Sequence, residues 1–424
     1  MKILIKNGRI VDPANNIDKK GDLLIENGKI SKLGGSIKEK ANKTIEADGK
    51  IVAPGLVDMH THLREPGREE AETIDTAMKA AIKGGFTTLS AMPNTDPACD
   101  TQADVKFLLE RAREVGLGNI LPVGTITKKR EGKELSRMAE LRDAGCLAIS
   151  DDGASVADAG LMRIAMEYAS MEDLLVISHC EDKDLSSGGV MHEGYFSTVL
   201  GLKPFPAEAE STIIERDVLL AELAGVRLHI AHVSAAASVE VIRNAKKRGA
   251  KVTAEVTPHH LTLTDERVQS FDTNLKVSPP LRSEEDVRAL KEGLKDGTID
   301  AIATDHAPHL ANEKDKEFDY APFGMIGLET ALALVAGTLV EEKHLSWPEL
   351  IRKLSTNPAS ILKYDRGTLS EGAAADVVVI DPGKKWIYKK EDIASKSTNS
   401  PFIGWELKGK VTCVIAGGKI VIEE

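Results

Sequence analysis

Two histidines and an arginine occur at alternate positions in the stretch VDMHTHLREPG, residues 57–67. Side chains at positions i and i+2 of a strand project from the same face, so His60 and His62 are predicted to converge on one spot. The same spacing continues to Arg64, shortly before Pro66 ends the run. Imidazoles bind metal ions, and a guanidinium binds anions. The stretch therefore indicates a metal site beside an anion site.

Further candidate metal ligands follow other apolar stretches of the chain. Zinc accepts histidine nitrogens and carboxylate oxygens at about 2.0–2.2 Å, and two metals about 3.5–4 Å apart can share a bridging group. An isolated histidine pair is more often a surface or core feature, so the metal interpretation depends on the whole set. The additional candidates are Asp151 and Asp152 after CLAIS, His179 after LLVIS, His232 after RLHIA, and Asp305 after DAIAT, whereas the adjacent His306 is expected to face away from the metal.

Short apolar stretches alternate with helical ones across the middle of the chain. Several of the helical stretches end in glycine, which favours the position after a helix. The alternation predicts an α/β fold, a (β/α)8 TIM-type barrel over residues 55–364, with catalytic groups at the carboxyl ends of its strands. An open doubly wound sheet is the alternative, but no GxGxxG follows the first strand. The predicted strands are LVDMHTHL, TTLSAMPNT, NILPVGTIT, CLAISDDG, LLVISHCE, RLHIAHVS, KVTAEVTPHH and DAIATDHAPH.

The two ends of the chain have a different sequence pattern, which predicts short strands and tight turns. Asn-Gly at 7–8 and 27–28 and Asp-Gly at 48–49 are hairpin signals, because these residues tolerate positive φ. The stretches ADVVVIDPGKKWIY and GKVTCVIAGGKIVIEE near the carboxyl end are similar. We therefore predict a small β-sandwich domain built from residues 1–54 and 365–424.

Composition excludes several classes of function. The chain has 424 residues, of which 42% are apolar and 29% charged, as expected for a soluble globular protein. A net charge of −11 argues against a nucleic-acid partner. No window approaches the roughly 18 consecutive apolar residues of a membrane helix, and no signal peptide is recognisable. Four scattered cysteines without a CxxC pair indicate a reducing cytoplasm.

The ligand pattern resembles the amidohydrolase superfamily, and the connecting segments resemble the bacterial class I dihydroorotases. Those segments are APGLVDMHTHLREPG, GGFTTLSAMPNT, SDDG, AHVS, EVTPHHL, PPLR, TDHAPH and APFGMIGLET, which occur in the family's order. The resemblance implies one or two zinc ions per subunit, with two expected. The implied metal ligands are His60, His62, Asp152, His179, His232 and Asp305.

The fourth barrel strand discriminates between related families. Hydantoinases, allantoinases and other dihydroorotase classes place a carbamylated lysine there to bridge two metals, whereas CLAISDDG has no lysine. Class I enzymes use an aspartate, and the second Asp of the DDG motif matches it, which implies Asp152. Periodicity alone leaves Asp151 open.

The activity that the resemblance implies is that of a zinc-dependent cyclic amidohydrolase. It is the reversible cyclisation of N-carbamoyl-L-aspartate to L-dihydroorotate in pyrimidine (UMP) biosynthesis. In the hydrolytic direction a metal-activated hydroxide attacks the ring amide carbonyl. Asp305, the implied catalytic residue, accepts the hydroxide proton and delivers it to the departing nitrogen.

The resemblance also implies a substrate site for a molecule that carries a carboxylate. A guanidinium can hold that carboxylate with two parallel hydrogen bonds. A salt bridge at the barrel rim is the alternative for Arg64, and a turn position is the alternative for Asn94. The family usually has asparagine where this chain has Ser278, and a serine is shorter. The implied substrate-binding residues are Arg64, Asn94, Ser278, His309, Pro322, Phe323 and Gly324.

Two rival functions remain at this level. One is another cyclic-amide hydrolase, such as an allantoinase or hydantoinase. The other is a non-catalytic dihydroorotase-like scaffold for aspartate transcarbamoylase, although such scaffolds lack some metal ligands. The family resemblance implies a homodimer and a complex with a transcarbamoylase. The highly charged segment 311–324 is predicted to be a mobile surface loop and is a candidate lid.

Overall fold

The structure, a computed structural model, describes residues 2–424; residue 1 of the predicted terminal domain lies outside the described residues. It contains eighteen strands, which we number in chain order. They are β1 Lys2–Asp12, β2 Ile17–Glu26, β3 Lys29–Gly34, β4 Lys43–Glu46, β5 Ile51–Pro54, β6 Leu56–Thr61, β7 Phe86–Ala91, β8 Asn119–Gly124, β9 Ala148–Ile149, β10 Leu175–Ser178, β11 Met191–His192, β12 Pro204–Phe205, β13 Leu228–Ile230, β14 Val252–Val256, β15 Ala301–Ile302, β16 Val377–Ile387, β17 Glu406–Ala416 and β18 Lys419–Glu423.

Fourteen α-helices connect and cover these strands. Residues 336–341 and 352–356 continue two of them as π-helical turns. The helices are α1 Ile74–Gly84, α2 Gln102–Val115, α3 Met138–Ala144, α4 Ala159–Met171, α5 Lys183–Ser186, α6 Tyr195–Leu200, α7 Glu208–Ala224, α8 Ala236–Lys247, α9 Pro258–Thr262, α10 Glu284–Asp296, α11 Ala311–Lys314, α12 Ala331–Val335, α13 Trp347–Ile351 and α14 Asn357–Ile361.

Eight parallel strands form the barrel, in the order β15-β14-β13-β10-β9-β8-β7-β6. The first and last strands meet where Thr61 bridges to His306, and the His62 amide donates to the His306 carbonyl at 2.9 Å. The barrel is therefore nearly closed, and its strand order follows the chain. The predicted α/β barrel fold is confirmed.

Capping residues determine where the connecting helices α1 and α2 begin and end. Thr73 caps α1 and Thr101 caps α2, each with a reciprocal capping box. Gly85 follows α1 at φ 90° and Gly116 follows α2 at φ 63°, a conformation that glycine adopts at little cost. Apolar side chains of the helices pack against those of the strands in one large buried cluster. The strand ends are thus held on a rigid scaffold.

The second sheet joins both ends of the chain. Its path is β18-β17-β16-β5-β1-β2-β3, and β4 pairs with β1 beside that path. β5 pairs with β16 in antiparallel orientation, so the amino-terminal strands continue directly into the carboxyl-terminal ones. Isoleucine, leucine and valine side chains from both ends form its buried core. The predicted composite β unit is confirmed. None of the helices in residues 2–424 is long and apolar enough to cross a membrane.

Candidate metal centre and active site

The six predicted ligands, with Asp152 among them, meet at the carboxyl end of the barrel. Asp152 Oδ1 lies 3.1 Å from His60 Nε2, 3.7 Å from His179 Nδ1 and 3.8 Å from His232 Nε2. Its other oxygen, Oδ2, lies 3.5 Å from His62 Nε2. Asp152 therefore faces four histidines, which lie in or just after three barrel strands, β6, β10 and β13.

Asp305 closes the other side of this cluster. Its Oδ1 lies 3.0 Å from His62 Nε2 and 3.6 Å from His60 Nε2. Asp305 and its two histidine neighbours are buried. Two overlapping groups thus share His60, one with Asp152 and His232 and the other with His62 and Asp305.

Backbone geometry just beyond the strands aims several of these side chains. His60 lies within β6, but His232 follows β13 by two residues and Asp305 follows β15 by three. His232 has φ 34° and Asp305 has φ 49°, which lie in the left-handed region that residues other than glycine rarely adopt. Such backbone strain is typical of functional sites. Arg64, at φ 62°, also lies past the end of its strand, so the alternation predicted from His60 to Arg64 does not continue that far.

The donor set fits a divalent metal. His60 Nε2 and Asp152 Oδ1 lie 3.1 Å apart, and both are buried without a hydrogen-bond partner among the described residues. Buried polar atoms are normally hydrogen-bonded, because leaving one unpaired costs about 1–3 kcal/mol. Convergence of unpaired nitrogen and oxygen atoms is what a metal site requires. The arrangement can therefore hold a cation.

Electrostatics keep both aspartates ionised. Burial alone would raise the pKa of Asp152, but the positive charges of His60 and His62 beside the carboxylate hold it well below its usual range. Burial likewise opposes ionisation of Asp305. The hydrogen bond from His62 and the charges of the neighbouring imidazoles outweigh it and lower the pKa of Asp305. Ionised carboxylates are the form that binds metals and accepts protons.

The sequence analysis missed Glu255, a carboxylate that orients His60. Glu255 belongs to β14 and is buried; its Oε1 accepts from His60 Nδ1 at 2.7 Å and its Oε2 accepts from His229 Nε2 at 3.1 Å. Burial alone would raise the pKa of Glu255, but the hydrogen bonds from His229 and His60 bring it to about 2. Metal-binding histidines commonly donate their second N–H to such a carboxylate, which directs the other nitrogen at the metal. A single acid inside the apolar strand sequence VTAEV was the available signal.

Two further side chains orient the other histidines. His62 Nδ1 donates to Asn94 Oδ1 at 2.8 Å, which leaves His62 Nε2 facing the cluster. His179 Nε2 lies 3.2 Å from Glu181 Oε2, which leaves His179 Nδ1 facing Asp152. Glu181 was not a predicted site residue, although it follows His179 by two positions. The histidines are therefore held in the ring orientation that metal binding needs.

An open cavity of about 380 Å³ lies over the cluster. Its lining includes Arg64, which is 8% exposed and donates through Nε to the Pro308 carbonyl at 3.1 Å. No carboxylate of the described residues comes within 4.0 Å of the guanidinium, so the salt bridge considered as an alternative is not formed. Burial and the charge of Arg68 lower the pKa of Arg64 to about 10. A buried cation without an acidic partner is costly unless a ligand supplies the anion.

Most other residues of the predicted substrate site reach this cavity, namely Asn94, Ser278, His309, Phe323 and Gly324. Pro322 is not among the lining residues, and its carbonyl accepts from the Lys314 ammonium at 2.8 Å. His309 Nε2 donates to the Phe323 carbonyl at 2.8 Å and lies 3.4 Å from Arg64 Nη2. Gly324 has φ 128°, and a Cβ there would lie 2.7 Å from the Ala307 Cβ. The wall beside the cluster thus requires a glycine.

Residues 311–324 are more buried than their charged sequence indicates. The segment contains the short helix α11, and Lys314, Phe318 and Ala321 are nearly inaccessible to solvent. These three side chains anchor the segment beside the cavity, whereas most of its other residues are exposed.

Known proteins of similar sequence share one family name. The model of the family described as Dihydro-orotase-like matches residues 49–238. A protein named dihydroorotase from Syntrophus aciditrophicus (strain SB) is 52% identical over 100% of both chains. Another of that name, from Pelotomaculum thermopropionicum, is 52% identical over 100% of this chain and 99% of its own length.

Solved structures share the fold over the whole chain. The L-hydantoinase (dihydropyrimidinase) from Arthrobacter aurescens superposes with a TM-score of 0.89 at 25% identity, and covers 99% of this chain and 96% of its own. The dihydropyrimidinase from Brevibacillus agri NCHU1002 gives a TM-score of 0.88 at 24% identity, with 100% and 95% covered. The barrel and its composite sheet are therefore common to a wider group of enzymes.

Proposed function

This chain belongs to the dihydroorotase family, and from that premise we propose that it interconverts N-carbamoyl-L-aspartate and L-dihydroorotate in pyrimidine biosynthesis. It is a cyclic amidohydrolase with the fold of that group. Hydantoinase-like enzymes, the nearest rival, resemble it only distantly in sequence. The reaction closes or opens an amide ring whose substituent is a carboxylate.

The observation that carries the substrate assignment is the buried Arg64 beside the metal cluster. Its guanidinium faces the cavity without an acidic partner, so a ligand carboxylate would satisfy both its charge and its free N–H donors. Dihydroorotate has such a carboxylate, whereas unsubstituted hydantoin has none. Asn94 and His309 border the same cavity, and we assign them to binding the carboxylate and ring with Ser278, Phe323 and Gly324.

We assign metal binding to Asp152 and the other five residues of its cluster. Zinc is the proposed ion because four imidazoles and two carboxylates match its ligand preferences, and two ions are expected. When bound, such an ion supplies hydroxide as a nucleophile at neutral pH, since coordination lowers the pKa of water from about 15.7 to about 7, and it polarises the ring carbonyl. The metal ligands are His60, His62, Asp152, His179, His232 and Asp305.

Asp305 is the proposed proton carrier. In the hydrolytic direction an oxygen–carbon bond forms at the ring carbonyl, and the ring carbon–nitrogen bond breaks. Asp305 is ionised, borders the cavity, and so can take the nucleophile's proton and transfer it to the departing nitrogen. Ring closure reverses the same steps.

The subtype that we propose is class I. The fourth-strand group that faces the histidines is Asp152, and its neighbour Asp151 instead accepts hydrogen bonds from the amides of Ile126 and Thr127 at 2.9 and 3.0 Å. A carbamylated lysine is not needed where an aspartate occupies the central position. This supports the class I assignment over the lysine-bridged classes.

We also propose a cytoplasmic homodimer that can associate with aspartate transcarbamoylase. All four cysteines are free and buried, which fits a reducing compartment. Ile164 and Met171 on α4 and Leu219 and Leu223 on α7 are exposed on neighbouring helices. Large exposed apolar side chains on adjacent helices support an interface between subunits.

The test compares turnover of dihydroorotate and hydantoin by the purified chain, alone and with the transcarbamoylase added, together with metal analysis before and after chelation. We expect preferred turnover of dihydroorotate, about two zinc ions per chain, and loss of activity on chelation. Preferred turnover of hydantoin would overturn the substrate assignment. Inactivity in both arms would favour the non-catalytic scaffold, and full activity after complete metal removal would overturn the metal assignment.

A further inference from the structure

Two buried lysines lie beneath residues 318–324, next to the cavity. Lys314 is 6% exposed, and its Nζ donates to the carbonyls of Pro322 and Gly324 at 2.8 and 3.0 Å. Lys276 is 2% exposed, and its Nζ donates to the carbonyls of residues 318 and 319 at 2.7 and 2.9 Å. The two ammonium groups thus bind four backbone carbonyls of one short segment.

Neither ammonium has an acidic partner. No carboxylate of residues 2–424 lies within 4.0 Å of Lys276 Nζ or Lys314 Nζ. Burial lowers the pKa of Lys314 to about 7 and that of Lys276 to about 8. Buried charges without an opposite charge are costly and therefore rare in purely structural settings. The energetic cost of burying these two lysines indicates that the backbone segment they bind is important.

The segment that the lysines hold forms one wall of the cavity. Phe323 and Gly324 line the cavity, and the Phe323 ring also covers Lys276, whose Nζ lies 4.6 Å from the ring centroid. The Gly324 amide donates to the Lys276 carbonyl at 2.8 Å, and the Phe323 carbonyl accepts from His309. Lys276 is therefore bonded to this wall through both its side chain and its backbone.

The lysines do not reach the ligand space themselves. Neither is among the residues that line the cavity, and their donors are directed at the carbonyls of residues 318–324. Direct binding of an anionic ligand is thus not their role. What they determine is the position of the backbone on either side of Phe323.

We propose that Lys276 and Lys314 are positioning residues that hold residues 318–324 as a preformed wall of the substrate site. The wall is in place before the ligand binds, which is the opposite of a lid that becomes ordered on binding. The identity of the ligand rests on the proposed function, whereas the ordering of the wall does not.

The decisive variant is Lys314→Met, which keeps an unbranched apolar side chain in the buried space and removes the donors. If only about a tenth of the molecules then keep a competent wall, KM for dihydroorotate rises about tenfold while kcat and metal content change little. Amide hydrogen exchange of residues 318–324 should become faster. Lys314→Arg, which restores donors, should recover part of the affinity. Lys316→Met is the matched control, because Lys316 is exposed in the same segment.

Hydrogen exchange of the unaltered protein tests the proposal even if the variants fold poorly. A preformed wall predicts similar protection of residues 318–324 with and without dihydroorotate, and a large gain of protection on binding would overturn the proposal. It would also be overturned by a Lys314→Met variant with both KM and exchange unchanged. If the unaltered protein does not turn over dihydroorotate, the proposed function fails. Amide exchange of the Lys314→Met variant, compared with that of Lys316→Met, still shows whether Lys314 orders the wall.

Discussion

Replacing Glu255 by glutamine should weaken metal binding while leaving the fold intact. Glutamine has the shape of glutamate but offers one acceptor oxygen and one donor NH2, where the carboxylate offers two acceptors. With its oxygen on His60, the NH2 group of the variant faces His229 Nε2, so His229 must change tautomer. Thr253 Oγ1, 2.8 Å from His229 Nδ1, can act as donor or acceptor and therefore permits this change.

The size of the effect follows from the loss of an ionic acceptor at His60. A hydrogen bond to a charged group contributes about 1.5–3 kcal/mol, whereas a neutral one contributes about 0.5–1.5 kcal/mol. The difference of about 1–2 kcal/mol corresponds to a 5- to 30-fold loss of metal affinity. This range overlaps the roughly 10- to 100-fold losses typical when the partner of a metal-binding histidine is changed.

The assay is competition for Zn²⁺ between the purified protein and a chelator of known affinity, with the unfolding midpoint of the metal-free protein measured in parallel. Glu134→Gln is the control, because the Glu134 side chain is 70% exposed. Metal affinity of Glu255→Gln equal to that of the unaltered protein, with stability also unchanged, would refute the orienting role of Glu255.

Three further predictions address the remaining groups. Asp305→Asn should keep its metal, because the group around Asp152 remains, but lose about 10²- to 10⁴-fold in kcat; near-normal turnover would remove Asp305 from proton transfer. Arg64→Lys cannot form two parallel hydrogen bonds to a carboxylate, so KM for dihydroorotate should rise about tenfold or more with little change in kcat; an unchanged KM would contradict the assignment. Burial raises the pKa of Glu329 to about 7 from 4.5, so its contribution to stability is present below pH 4.5 and lost as the pH rises through 7. Glu329→Gln should therefore match the unaltered protein in urea unfolding near pH 4.5 and be more stable at pH 8, by up to about 3 kcal/mol; equal stability at pH 8 would count against this reading.

The barrel and the central ligands were predictable because local patterns determine them. Alternating strands and helices of ordinary length leave few arrangements open, and the carboxyl ends of parallel strands meet at one rim. His60 lies in β6, His62 follows that strand by one residue, and His179 directly follows β10, so the barrel fold alone predicts that they converge.

The composite sheet was predictable from the similar strand-rich sequences at both ends, but of the three hairpin signals only Asn27-Gly28 joins an antiparallel pair, β2 and β3. Asn7-Gly8 lies inside β1, and the strands on either side of Asp48-Gly49 both pair with β1.

Other features of the site depend on tertiary contacts that periodicity cannot reveal. Arg64 reaches the cavity through a left-handed backbone conformation, not through continued strand alternation. Asp151 and Asp152 are adjacent and chemically identical, and hydrogen bonds from the neighbouring loop determine which of them turns away. Such choices are decided by partners distant in sequence.

Charged residues inside the protein were the main omission. Glu255 is the one acid in an apolar strand, and this position in the sequence indicates a buried carboxylate. Lys314 has no such signal, since it lies between Glu313 and Asp315 in a segment whose composition predicts a solvated loop. Its role is visible only in the structure, where its Nζ donates to the carbonyls of residues 322 and 324.

The hydrogen bonds between β5 and β16 have a consequence for synthesis on the ribosome. Translation produces β5 long before β16, so Ile51–Pro54 lacks one neighbour until the entire barrel has been made. During that interval the nascent chain exposes an unsatisfied strand edge, at which neighbouring nascent chains on the same messenger can pair with one another. The edge of β5, which is translated early, is therefore covered only after β16, one of the last strands, has been made.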